Sequence, residues 1–159
     1  MDYIIVSTSK CAYQDWQLHL LNWSRKKVKQ QGKLILLMSE DKKHDSDKVN
    51  LDFGKDVEVV ELPDWAEEWH LKHDDWWGGI PNKYESFNWV AANYPFQDDD
   101  VLLFLDPNMI FIEPINYQPK ANEIIGQRWK GYGGLPSWEQ FGNSRDAFMY
   151  PFILRYSTL

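Results

Sequence analysis

The 159-residue sequence holds 17 basic and 24 acidic residues, a formal net charge of −7, which argues against a general nucleic-acid binder that must present a basic face to phosphates. Apolar residues make up 43% and charged residues 26%, a balance that sets the chain apart from disordered ones. A single cysteine, Cys11, excludes an intramolecular disulfide and a Cys-based zinc site, and suits a reducing compartment.

The length is that of one domain, 1–159. Tyr3–Val6 reads as a buried strand stopping in a polar loop, Ser7-Thr8-Ser9. From Tyr13 the apolar positions Trp16, Leu20, Trp23 and Val28 recur at near-helical spacing, with Leu18 and Leu21 widening the face. That spacing predicts a helix over Tyr13–Gln31, closed by Gly32. Its basic run, Arg25 to Lys29, reads as a solvated helix end complementing the dipole. Lys33–Met38 is a second buried strand, and Ser39–Lys55 a polar loop. Val57–Leu62 is a third strand, halted by Pro63. After the Trp-rich Asp64–Gly79, the stretch Asn82–Asn93 is predicted helical, with Tyr84, Phe87, Trp89 and Val90 available for burial. Val101–Leu105 is the most continuous strand signal in the chain. The amino terminus lacks a basic segment and has only four apolar residues in a row, so no signal peptide or membrane span is expected, and the setting expected is cytoplasmic.

Alternating strands and helices predict an α/β fold, a three-layer sandwich with a mostly parallel sheet and helices on both faces. Ligands in such sheets bind beyond the carboxyl ends of the strands. Two of those ends carry suggestive residues: Ser7–Lys10, and Asp106-Pro107-Asn108. Pro107 stiffens the second turn, leaving a carboxylate and an amide that can face one ligand, and oxygen ligands suit a hard divalent ion bridging two phosphates. The same tripeptide is also a good plain turn between strands.

VLLFLDPNMIFIEPI resembles the segment of GT-A glycosyltransferases in which a buried strand ends in an Asp-x-Asp-type turn followed by a short apolar run. More narrowly it is similar to the hydroxyproline arabinosyltransferase and peptidyl-serine galactosyltransferase group, where an apolar triplet and a proline follow the turn, as Ile110-Phe111-Ile112 and Pro114 do here. TSKCAYQDWQLHLLNW and PNKYESFNWV resemble two further segments of that group, and Ile124–Trp129 reads as the next strand. The resemblance implies a GT-A-like, Rossmann-like domain whose nucleotide-binding part spans about 1–112 and whose acceptor side spans about 113–159. It implies transfer of a sugar from a nucleoside-diphosphate sugar, UDP-linked, to a hydroxyl of a carbohydrate or peptide acceptor. Asp106 and Asn108 would form the metal and diphosphate site for Mn²⁺ or Mg²⁺. Thr8 and Ser9 would lie near the nucleotide, with Ser7 a further candidate, and Asn82 and Lys83 would approach the donor, Lys83 offsetting phosphate charge.

The sequence departs from that group where Asn108 replaces an acid and Met109 a histidine, which lowers the expected metal affinity. Its four histidines, His19, His44, His70 and His73, all precede the turn. His70 and His73 beside Asp74 and Asp75 read as an exposed loop in preference to a metal site. Trp76-Trp77-Gly78-Gly79 and Gly131–Pro136, ahead of Trp138, are candidate binding loops, and Glu139 or Asp146 a candidate acceptor base. Two alternatives stand beside the transferase: a non-catalytic carbohydrate- or nucleotide-binding domain of the same fold, and an α/β interaction module.

Overall fold

The central strands form because runs of branched and large apolar residues are flanked on both sides by something to bury them. In the computed structural model, which describes residues 1–40, 49–67, 79–120, 124–126 and 152–155, six strands and two helices follow one another. They are β1 (Tyr3–Ser9), α1 (Ala12–Lys27), β2 (Lys33–Ser39), β3 (Val57–Leu62), α2 (Gly79–Asn93), β4 (Val101–Leu105), β5 (Ile124–Gly126) and β6 (Phe152–Arg155). One sheet runs β3-β2-β1-β4-β6-β5. Its first four strands are mutually parallel, and β6 is antiparallel to both β4 and β5. This is the expected α/β architecture, compatible with a Rossmann-like fold.

Because side chains alternate across a strand, β1, β2, β3 and β4 each feed two cores. Ile4, Val6, Leu34, Leu36, Met38, Val101, Leu103 and Leu105 pack with Leu18 and Leu21 of α1 on one face. Ile5, Ile35, Leu37, Leu102 and Phe104 pack with Val90 of α2 and, beside it, Phe87 and Trp89 on the other. Helices therefore cover both faces. No helix among the described residues is long and apolar enough to cross a membrane.

The structure corrects several details. β1 continues through Ser7 and Thr8, both buried, because Ser7, Thr8 and Ser9 go on pairing with Leu37, Met38 and Ser39 of β2. α1 ends at Lys27, four residues before the expected close. Its end is a Schellman motif: Gln30 N–H donates to Arg25 O (3.0 Å) and Lys29 N–H to Lys26 O (3.1 Å), with Lys29 at φ 58°. Gly32 has another reason to be glycine: at φ 115°, an added Cβ would lie 3.3 Å from the Met1 carbonyl oxygen. α2 begins at Gly79, so Pro81 falls in the first turn, where its missing N–H has no intrahelical partner to lose. Tyr84, expected inside, is exposed. Residues 127–129 of the expected strand after β4 lie outside the described residues.

The larger correction concerns α1. Trp16, Leu20 and Trp23 face outward, while Gln17, Leu18, Leu21, Asn22, Ser24 and Arg25 are buried. Three polar members of that inner face, Asn22, Ser24 and Arg25, are buried with their side chains hydrogen-bonded. Asn22 Nδ2 donates to Phe53 O (2.8 Å), and Ser24 Oγ to Leu21 O (2.8 Å). Arg25 donates to Asn22 Oδ1 and Gly32 O and pairs with Asp56. The basic run is thus only partly a solvated helix end: Lys26, Lys27 and Lys29 are exposed, and Arg25 is not.

Candidate functional site

The sheet order turns about β1: β2 and β3 extend to one side, β4 to the other. Pairing between β1 and β4 stops at Val6↔Leu105, while β1 runs three residues further along β2. The crevice at such a switch point, beyond the carboxyl ends of the strands, is where open α/β sheets take ligands. Thr8, Ser9 and Lys10 reach it from β1, and Asp106 from β4.

β4 delivers Asp106 into a tight turn closed by Met109 N–H donating to Asp106 O (3.2 Å). Asn108 lies exposed on that turn, with no left-handed backbone. Beyond it the chain leaves the sheet: residues 109–112 are not a strand, and Phe111 is tied to α1 instead. Phe111 N–H donates to Ser24 Oγ (3.0 Å), and Phe111 enters the core beneath the helix.

The carboxylate of Asp106 holds the ammonium of Lys83, which arrives from the first turns of α2, 23 residues earlier in the sequence. Both side chains are largely covered, 15% exposed for Lys83 and 20% for Asp106, so the pair sits where charge is less screened than in bulk water. A second lysine stands at the same sheet edge: Lys10 Nζ pairs with Glu61 Oε2 of β3 at 2.8 Å.

The other expected residues are engaged in building this edge. Thr8 Oγ1 donates to Gln14 Oε1, which also accepts the Ser9 N–H, so the first turn of α1 fastens the end of β1. Buried Asn82 accepts the Ala66 N–H (2.9 Å) and donates to Asp64 Oδ1 (2.9 Å), tying the segment after β3 to the start of α2. Ser86 Oγ, fully buried, donates to Asn82 O (2.6 Å) and lies 3.5 Å from Ser39 Oγ at the end of β2. Sequence reading missed Gln14, Asp64, Ser39 and Ser86. Each is an ordinary polar residue whose role depends on a partner from another element, and no local spacing marks them.

Asp106 and Lys83 are brought together; Thr8, Ser9 and Asn82 line the same carboxyl edge through the ends of β1 and β3. Glu139, Asp146, His70, His73, Trp76, Trp77, Trp138 and the Gly131–Pro136 loop lie outside the described residues, as does Gly78. Among the described residues, no group of three or more His, Cys, Asp or Glu could hold a metal ion. Comparison of the sequence with protein-family models and with curated proteins finds no match.

Proposed function

We propose that this chain is a GT-A-type glycosyltransferase domain that moves a sugar from a UDP-linked donor to a hydroxyl of a carbohydrate or peptide acceptor. The observation that carries the reading is the Lys83–Asp106 pair, a largely covered cation fixed at the carboxyl end of β4 beside the switch point. In such a transfer an acceptor oxygen attacks the anomeric carbon, and the electron pair of the breaking C–O bond leaves with the diphosphate. The acceptor proton passes to a base, for which Glu139 and Asp146 remain the candidates.

Negative charge grows on the departing diphosphate, and a cation already fixed in place stabilises it without reorganising. Lys83 supplies that cation and Asp106 aims it. The amino terminus of α1, which begins at the same edge without a side-chain cap, adds a partial positive charge. Thr8, Ser9 and Asn82 shape the nucleotide side of the crevice. Asp106 and Asn108 are the oxygens that would take Mn²⁺ or Mg²⁺, and a bound ion would neutralise two phosphates at once. One carboxylate shared with Lys83 and one neutral amide fit a hard cation in kind but make it a weak ligand set. The lone, buried Cys11 suits a reducing, cytoplasmic setting for the same activity.

Thermal shift and calorimetry with UDP and a nucleotide-sugar panel, with and without Mn²⁺, test the proposal. UDP is expected to raise the melting temperature of the wild type and not that of Lys83→Met. Donor-sugar hydrolysis is expected to fall about a hundredfold in Lys83→Met, the scale of losing one preorganised charge donor. A chain that binds no nucleoside diphosphate under either condition is not a transferase of this type. One that binds UDP but neither transfers nor hydrolyses any donor is a non-catalytic nucleotide-binding domain.

A further inference from the structure

The outward face of α1 carries four large apolar side chains that stay exposed and join neither core cluster of the described residues. Tyr13 is 69% exposed, Trp16 56%, Leu20 40% and Trp23 57%. Hydrophobic residues scattered singly over a surface are unremarkable, but a continuous stripe is a mark of an interaction site. These four recur at intervals of three, four and three residues, so they form one narrow seam along the helix, the pattern by which two helices pack. Lys27 ends the seam, its ammonium 4.7 Å from the centre of the Trp23 ring.

We propose that this seam is the contact between two copies of the chain, packed through antiparallel α1 helices about a two-fold axis. The spacing is the same read in either direction, with its midpoint at position 18. An antiparallel pair therefore sets Tyr13 against the partner's Trp23, and Trp16 against the partner's Leu20, so every apolar residue meets another. The contact is isologous and closes at two copies. A parallel pair would bring Lys27 against its own copy and align the helix dipoles side by side, whereas the antiparallel pair opposes both. The net charge of −7 disfavours the other apolar occupant, an anionic membrane surface.

The area sets the strength of the association. Aromatic side chains offer roughly 150–250 Å² each, so the exposed parts of these four leave about 400 Å² of apolar surface per copy. With the flanking Ala12, His19, Lys26 and Lys27 the pair reaches about 1,000 Å² in total, the lower bound for a specific interface. The dimer is accordingly a reversible one, and it does not depend on the proposed transferase activity.

Sedimentation velocity over a rising concentration series tests it. The wild type is expected to shift from the 18.9 kDa monomer to twice that mass as concentration increases. Trp16→Glu and Leu20→Lys, both exposed and unconnected to the core, are each expected to remain monomeric with unchanged circular dichroism. Mixing those two variants is expected to restore a dimer, because Glu at 16 then faces Lys at 20 across one half of the pair and Leu faces Trp across the other. A wild type that stays monomeric throughout, single variants that still dimerise, or a mixture that does not associate would each overturn the proposal. So would a monomer that instead co-sediments with phosphatidylcholine–phosphatidylserine vesicles.

Discussion

Lys29 shows how a single residue decides where a helix stops. Left-handed backbone is uncomfortable for any residue with a Cβ, and Lys29 adopts it at φ 58° because the Schellman hydrogen bonds around it satisfy the last carbonyls of α1. Glycine at that position would remove the steric cost while giving back part of it as chain entropy. Lys29→Gly is therefore expected to stabilise the fold by about 0.5–1 kcal/mol, read as a higher urea midpoint with an unchanged slope. A lower midpoint would mean that the lysine side chain contributes more than its backbone strains. In the sequence, Gly32 was the obvious stop signal, and it misled because its glycine is required by packing against Met1. Asp106 was legible in its turn. Its partner was not, since Lys83 and Asp106 meet only after α2 and β4 have docked on the sheet.

At the scale of the element, α1 has two faces that hydropathy alone assigns the wrong way round. The inner face holds Leu18 and Leu21 together with Asn22, Ser24 and Arg25, and the outer face holds the aromatic seam. Arg25 fastens the inner face to the loop before β3: it reaches Asp56, Asn22 Oδ1 and the Gly32 carbonyl, and its side chain is only 6% exposed. Arg25→Met keeps the stem and removes those donors, taking from the buried Asn22 Oδ1 and the partly buried Gly32 carbonyl their guanidinium partner. The expected cost is about 2–3 kcal/mol in equilibrium unfolding. Lys26→Met, whose ammonium pairs with the same Asp56 but is half exposed, is expected to cost less than about 1 kcal/mol. Equal effects of the two would show that burial of the guanidinium is not what matters. β1, β2 and β4 were legible to within a few residues because they are buried on both faces and read as unbroken apolar runs, whereas β6 went unread. Helix faces were not, because a hydrogen-bonded Asn or Arg can be buried as completely as a leucine once its partners arrive from elsewhere.

For the whole molecule, two carboxylates near β3 contribute to the acid limb of stability among the described residues. Glu58 lies below the usual carboxylate range because Lys33 donates to it; burial opposes this, and the Tyr94 hydroxyl adds a further hydrogen bond at 2.7 Å. Partial burial pushes Asp56 upward, but hydrogen bonds from Lys26 and Arg25 outweigh it and leave it low. Since both groups titrate lower in the folded chain than in the unfolded one, the unfolded chain binds more protons as pH falls. Their contribution is complete above the ordinary carboxylate values and is lost as pH drops through the folded ones, below about pH 4. Lys33 runs the opposite way: hydrogen bonds to Glu58 and Tyr94 raise it, so its share is present below the ordinary lysine value and disappears only in strong alkali. Glu58→Gln is expected to flatten the fall of melting temperature between about pH 5 and pH 3 while leaving a smaller loss from Asp56. An unchanged acid slope would remove Glu58 from the account.

The amino-acid sequence by itself determined the class of fold, the order of the elements from β1 to β4 and the turn that carries Asp106. Those follow from periodicity, from unbroken apolar runs and from proline and glycine, all of which act within a few residues. Tertiary structure alone decided that β1 outruns β4 at the switch point, that Lys83 sits on Asp106, that Gln14 and Asn82 lace the edge together, and that the aromatic side of α1 faces out. Each of these joins residues far apart in the chain, and which polar group is buried or which apolar face stays bare depends on what the rest of the fold brings against it.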